Sequence, residues 1–258
     1  MLLIGAPNYV DSLTSYFDMF GTKAVVLEDL LPYVRELEGE EKAKWDAHLD
    51  KATQSTADLN AVQRTINILR LQRLSSSSDA TTVDSELQFA KRCLTLYLEA
   101  LPLGEELVST ELQPADDLAL LAASTLLNAY HIQCQGQAPS AETPALAQEK
   151  FASLLLDALV VLEQGASKSR WAYPFRLLLV RLYRLLGAPA LALQNFTMAN
   201  LKGIQHDTLS HHVLSRASTF SLGSAGDLSL INECVESSQI YAIHGVDVSP
   251  LSDHFFRY

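Results

Sequence analysis

Gln133-Cys134-Gln135-Gly136-Gln137-Ala138 is the stretch whose residue types come nearest to a reactive-site motif. It fits the Q/R-x-x-G-x-G/A pattern with which acetyltransferases cradle the pyrophosphate of acetyl-CoA. That chemistry needs backbone amides that follow a strand and point from the start of a helix. Here the hexapeptide follows a helical pattern and runs into Pro139, Ser140 and Pro144, a loop composition, so no cofactor site is expected. His206, His211 and His212, with Asp207, form the one histidine cluster. Metal ligands on a helix share a face at spacings of three or four, and the spacing of five between His206 and His211 spoils this. A nucleophile elbow, a phosphate-binding Walker loop and a paired-cysteine metal motif are missing, so no catalytic residue is assigned.

Charged residues suggest binding more than catalysis. The acidic pairs Glu40-Glu41, Glu105-Glu106 and Asp116-Asp117 fall where helices are expected to start, and there they complement the helix dipole. On a helix predicted over 171–187, Arg170, Arg181 and Arg184 fall within about 60° of one another at 100° per residue. Phe175, Leu178, Leu179, Leu182 and Leu186 take the other side as a core stripe. The arginines are therefore the candidate partner interface, since guanidinium pairs well with carboxylate and phosphate. A solvated face is the competing expectation.

The elements that would carry these residues are helical throughout. Of 258 residues 48% are hydrophobic, Leu and Ala are abundant, and only 11 are Gly, a composition of good helix formers. Apolar residues recur at helical spacing, as in Val10, Leu13, Phe17 and Phe20, or Leu27, Leu30, Leu31, Val34 and Leu37. Residues 40–74 are expected to form two helices or one broken one. Further helices are predicted near 84–101, 115–134, 144–164, 171–187, 189–201, 207–219 and 227–243, with Asp207 and Asp227 as N-caps or first-turn acids. No alternating run reads as a strand. The Ser-rich stretch within 75–83 is expected to link an acidic helical segment, 1–74, to a second, 84–258. No uninterrupted apolar run of about 18 residues is present, so no membrane span is expected. Three widely separated cysteines argue against a disulfide framework and for a reducing cytosol.

Charge is uneven. The net charge is −11, and residues 1–117 hold 20 acidic against 10 basic side chains while the remainder is nearly balanced. That acidity argues against direct, sequence-specific nucleic-acid binding, and an acidic front half could attract a basic partner.

Residues 173–204 carry a repeat signal. Tetratricopeptide units pair two helices over about 34 residues, with small residues where the helices touch and aromatics filling gaps. Leu179, Tyr183, Gly187, Ala192, Phe196 and Ala199 fall in that register, whereas Arg176, Val180 and Ile204 depart from it. The expected fold is therefore all-α, a right-handed α-solenoid of stacked antiparallel helix pairs built from degenerate tetratricopeptide-like repeats. Close crossing of the paired helices is expected at Gly187 and Ala192.

The run from Tyr173 to Ala188, YPFRLLLVRLYRLLGA, resembles a signature of the non-catalytic auxiliary subunit of the N-terminal acetyltransferase B (NatB) complex. The likeness continues through Leu201 to His211, LKGIQHDTLSH, and includes Tyr16-Phe17, Phe20 to Lys23, Leu27 to Leu30 and Tyr33, with Ala24-Val25 standing where cysteines are common. It runs from about residue 9 to 216. The resemblance implies a cytoplasmic scaffold, itself not an enzyme, that wraps a small catalytic subunit of the GNAT acetyltransferase fold. It would help place that subunit at the ribosome's exit, and acetyl-CoA would sit in the partner. The complex would acetylate nascent chains beginning Met-Asp, Met-Glu, Met-Asn or Met-Gln. Members of the family are much longer, so the chain is expected to be a central fragment or a truncated form of such a subunit. The rival expectation is a generic tetratricopeptide-like adaptor that binds peptides in a groove.

Overall fold

A computed structural model describes residues 9–52, 54–75, 81–108, 111–136, 145–201, 205, 209–215, 217, 219, 229–239 and 242. Among these the chain is helical and contains no strand. Two compact units, Met1–Arg170 and Trp171–Tyr258, divide it. The division falls before residue 171 and not at the Ser-rich stretch, whose residues 76–80 lie outside the described ones. Ion pairs join residues before and after that stretch. Arg73 grips Glu86 at 2.9 and 2.6 Å, and Arg70 pairs with Asp117 at 2.9 Å.

The first unit contains α1 (Tyr9–Phe20), α2 (Val26–Val34), α3 (Gly39–Lys51), α4 (Leu59–Ser75), α5 (Val83–Ala100), α6 (Asp116–Gly136) and α7 (Ala145–Lys168). A short 3-10 turn, Leu101–Gly104, follows α5. The helical periodicity of 40–74 resolves into two helices, with α3 charged and α4 central. Along α4, Val62, Ile66, Ile68, Leu69 and Leu71 are all buried, so the helix is covered on nearly every side. Phe17, Val26, Leu30, Trp45 and Leu49 meet Ile68 and Leu71 in one apolar cluster. Phe17 and Trp45 pack edge to face with centroids 6.2 Å apart, the arrangement their quadrupoles favour. Full burial of each such side chain contributes about 1.5–3 kcal/mol before entropy is counted.

Polar groups fix how α1 and α2 sit on α4. The Asn67 amide, fully buried, donates to the carbonyls of Gly21 and Lys23 at 2.9 and 2.8 Å. Arg64 donates to the Asp18 carboxylate at 2.9 Å and lies 4.9 Å from the Phe17 ring centroid. Gly21 is required here by close approach: a Cβ would come 2.6 Å from the Phe17 carbonyl oxygen and 2.8 Å from the Arg64 guanidinium. Further on, small residues do the equivalent work between long helices. Ala115, Ala119, Ala122, Ala123 and Ala129 are fully buried along and just before α6, which packs on both α5 and α7. Helices α5, α6 and α7 pack in chain order, as in helical-repeat proteins, whereas α1 packs also on α3 and α2 on α4.

The second unit holds α8 (Tyr173–Leu185), α9 (Pro189–Met198) and the short α10 (His211–Leu214), with residues 229–239 also helical. Pro174 and Pro189 occupy helix starts, where a missing N–H costs nothing. Gly187 closes α8. Its φ is +74°, its N–H donates to the Arg184 carbonyl at 3.1 Å, and the Ala188 N–H donates to the Tyr183 carbonyl at 2.7 Å. This is a Schellman stop, and its left-handed residue is the reason for glycine. The expected helices at 207–219 and 227–243 are represented by α10 and 229–239. The caps foreseen at Asp207 and Asp227 lie outside the described residues.

Candidate functional site

The look-alike loop sits at the wrong end of a helix. Gln133 to Gly136 are the last residues of α6, and Gln137 and Ala138 lie outside the described residues. A helix C-terminus presents carbonyl oxygens and the negative end of the dipole, which repel a pyrophosphate. His206 also lies outside the described residues, while His211 and His212 are adjacent, with ring centroids 4.0 Å apart. Burial lowers the His212 pKa, helped by His211, Arg181 and Arg184. Among the described residues no three His, Cys, Asp or Glu side chains gather as metal ligands. Glu40-Glu41 and Asp116-Asp117 do lie in first helical turns, but Glu105-Glu106 come after the 3-10 turn and begin no helix.

The three arginines do not share α8. Arg170 precedes the helix, in the turn after α7, and belongs to the first unit. Arg181 is exposed on α8. Arg184 donates to the carbonyls of His212 and Ser215, so its guanidinium fastens the end of α10 to α8. The buried face of α8 is also rotated from the expected stripe. Phe175, Leu179 and Leu182 are buried, but so are Arg176, Val180 and Tyr183, whereas Leu178 is half-buried and Leu186 exposed at 36%. Arg176 is accommodated because its Nη1 donates to Asn195 Oδ1 at 2.8 Å on α9. A buried arginine held by a facing amide breaks the apolar pattern that sequence periodicity relies on.

Of the residues in the repeat register, Leu179, Tyr183, Ala192 and Phe196 are buried and Ala199 is half-buried. Gly187 does not sit at a close crossing: a Cβ there would meet nothing within 4 Å.

A junction in the first unit is not legible in the sequence. Asp116, the first residue of α6, is 7% exposed, and neither of its carboxylate oxygens has a hydrogen-bond partner of normal geometry. Burial pushes its pKa up to about 6, opposed in part by the nearby Ser169 hydroxyl and Gln113 backbone. The Tyr97 hydroxyl, also buried without a partner, is pushed up to about 12 by burial and by Asp116. Gln113 links the surrounding chain, its N–H to Ser169 Oγ at 3.0 Å and its side-chain amide to the Gly104 carbonyl at 3.2 Å. An Asp-Asp pair at a helix start reads in sequence as solvated dipole compensation. Only packing shows that the first acid points inward while the second pairs with Arg70.

These features define a helical-repeat protein whose polar groups fasten helices to one another. Residues 3–250 match the family of the N-acetyltransferase B complex (NatB) non-catalytic subunit, and the chain belongs to that family. It is 30% identical over 217 residues to the fission yeast N-terminal acetyltransferase B complex subunit arm1, covering 83% of this chain and 25% of that protein. The Arabidopsis thaliana NatB auxiliary subunit NAA25 is 26% identical over 206 residues, 80% of this chain and 18% of the relative. The human N-alpha-acetyltransferase 25, NatB auxiliary subunit, is 26% identical over 219 residues, 81% and 21%. The chain thus spans about a fifth to a quarter of the length of these relatives. It is a non-catalytic, auxiliary-type chain, and no described helix is long and apolar enough to cross a membrane.

Proposed function

We propose that this chain forms part of the helical scaffold by which a NatB auxiliary subunit holds its catalytic partner, a small acetyltransferase of the GNAT fold, in the cytoplasm. The complex then acetylates nascent chains beginning Met-Asp, Met-Glu, Met-Asn or Met-Gln, close to the ribosome. The observation that carries the reading is the family match along residues 3–250. Stacked helices support it, because such units present long surfaces to partners. Arg170 and Arg181 serve as polar docking residues in this reading, whereas Arg184 contributes by holding α10.

Co-purification of the tagged chain from its host tests this directly. A stoichiometric small acetyltransferase in the eluate, with activity on a Met-Asp peptide, is the expected result. Recovery of unrelated peptide-bearing clients and no acetyltransferase would refute the scaffold reading in favour of a general adaptor. Arg181→Glu should weaken the association without changing the melt.

A further inference from the structure

The cations of α4 are committed to acids. Arg64 pairs with Asp18, Arg70 with Asp117 and Arg73 with Glu86. On α5 the situation differs. Lys91 and Arg92 are exposed, and among the described residues neither forms an ion pair. They line an open cleft of about 520 Å³ together with Gln54, Gln88, Thr95 and Leu96, and among the described residues no acidic side chain lines it. Residues 88, 91, 92 and 95 have a three- and four-residue spacing, so one face of α5 presents them as a continuous polar stripe. The Arg92 Nε–H donates to Gln54 Oε1 at 2.9 Å, which restrains the guanidinium between two residues that line the cleft. An acid-free cationic cleft in a segment with twice as many acids as bases is a local inversion of charge.

We propose that this α5 cleft docks an acidic peptide segment of a partner protein. The chemistry of the lining selects that class. Lys91 and Arg92 supply charge-assisted donors for two carboxylates, Arg92 with its planar fork already oriented. Gln54 and Gln88 carry amides that both donate and accept, as a peptide backbone requires. Leu96 supplies an apolar floor for an intervening side chain. A nucleic acid fits less well, because the cleft carries no aromatic platform for bases and the surrounding segment is strongly acidic.

Fluorescence anisotropy with the full 258-residue chain and a labelled peptide of alternating glutamate and leucine tests the assignment. Binding should saturate at low salt, weaken as salt screens the contacts, and fall roughly tenfold or more in Lys91→Gln/Arg92→Gln. Both side chains are exposed, so the variant should melt as the parent does. Gln54→Leu should give a smaller loss, since it removes the restraint on Arg92 and one backbone-pairing amide but leaves both cations. No binding by the parent chain, or equal binding by parent and double variant, overturns the proposal. So does a single-stranded RNA oligonucleotide that binds through Lys91 and Arg92 and displaces the peptide. A lysine-leucine peptide should not bind, and its binding at the same site would also refute the assignment.

Discussion

Replacing Asp116 with asparagine should make the first unit more stable at neutral and alkaline pH. The carboxyl is buried at the start of α6, and burial raises its pKa from 3.8 to about 6. Below pH 4 the acid is protonated in both folded and unfolded chains, and its titration costs nothing. Between pH 4 and 6 the unfolded chain releases the proton while the folded chain retains it, so stability falls as pH rises. Above pH 6 both forms are ionised and the full penalty remains. A rise of about two units at ~1.4 kcal/mol per unit sets an upper bound of about 3 kcal/mol. The amide dipoles of the first turn of α6 favour the anion and oppose this by roughly 0.3–1 kcal/mol. Asp116→Asn keeps the shape and removes the charge, so a gain of about 1–3 kcal/mol is expected at pH 8, or roughly 3–10 °C in melting temperature. The decisive measurement is the difference between parent and variant across pH. It should be small near pH 4, grow to pH 6 and then stay level. A constant difference at every pH, or a loss confined to high pH, would refute the burial reasoning and show that Asp116 is stabilised as an anion.

Gly187→Ala and Gly187→Leu should cost nearly the same, about 1–2 kcal/mol, because the left-handed backbone is strained by any Cβ while the space beyond it is open. Thermal melts in which leucine is far worse than alanine would restore the close-crossing explanation. Gly21→Ala should cost more, about 1–3 kcal/mol, since its Cβ meets a backbone oxygen that cannot yield easily. Denaturant unfolding of the first unit reads that loss, and a neutral result would show that the α1–α2 turn can shift. Arg184→Glu should loosen α10, raising hydrogen exchange at residues 211–215, whereas Arg181→Glu should leave that exchange unchanged. Equal protection in both variants would mean that Arg184 does not hold the segment.

Helical class and the approximate extents of α1 to α9 were legible because apolar spacing and chain-breaking residues act locally. Phe17 and Leu30 recur at helical intervals, and Gly187 followed by Pro189 separates α8 from α9. Faces were less legible where a polar side chain is buried against a specific partner. Arg176 reads only as a departure from the repeat register until Asn195 is seen opposite it, and the buried stripe of α8 shifts accordingly. Arg184 reads as a free cation until its carbonyl acceptors on α10 are in place. Asn67 gives no signal at all in sequence, since its two acceptors lie 46 and 44 residues away. Interactions of that kind depend on tertiary placement, which local periodicity does not encode.

Those distant polar contacts bear on how a helical stack of this kind keeps its shape. Apolar ridges alone allow helices to slide by a turn at modest cost, because leucine and alanine faces are much alike. A fully buried amide such as Asn67 cannot slide with them: moving it from the Gly21 and Lys23 carbonyls would leave a desolvated donor and two desolvated acceptors, at about 1–3 kcal/mol for each unsatisfied group. Arg73 and Glu86 act likewise between α4 and α5, since displacing one strands a carboxylate that is 4% exposed. The apolar core supplies adhesion, and these few polar pairs set register. In the proposed role of holding a partner across several helices, that register would matter more than extra adhesion. This is why the sites most sensitive to substitution are expected at Gly21, Asn67 and the Arg73–Glu86 pair, where helices are fastened to one another.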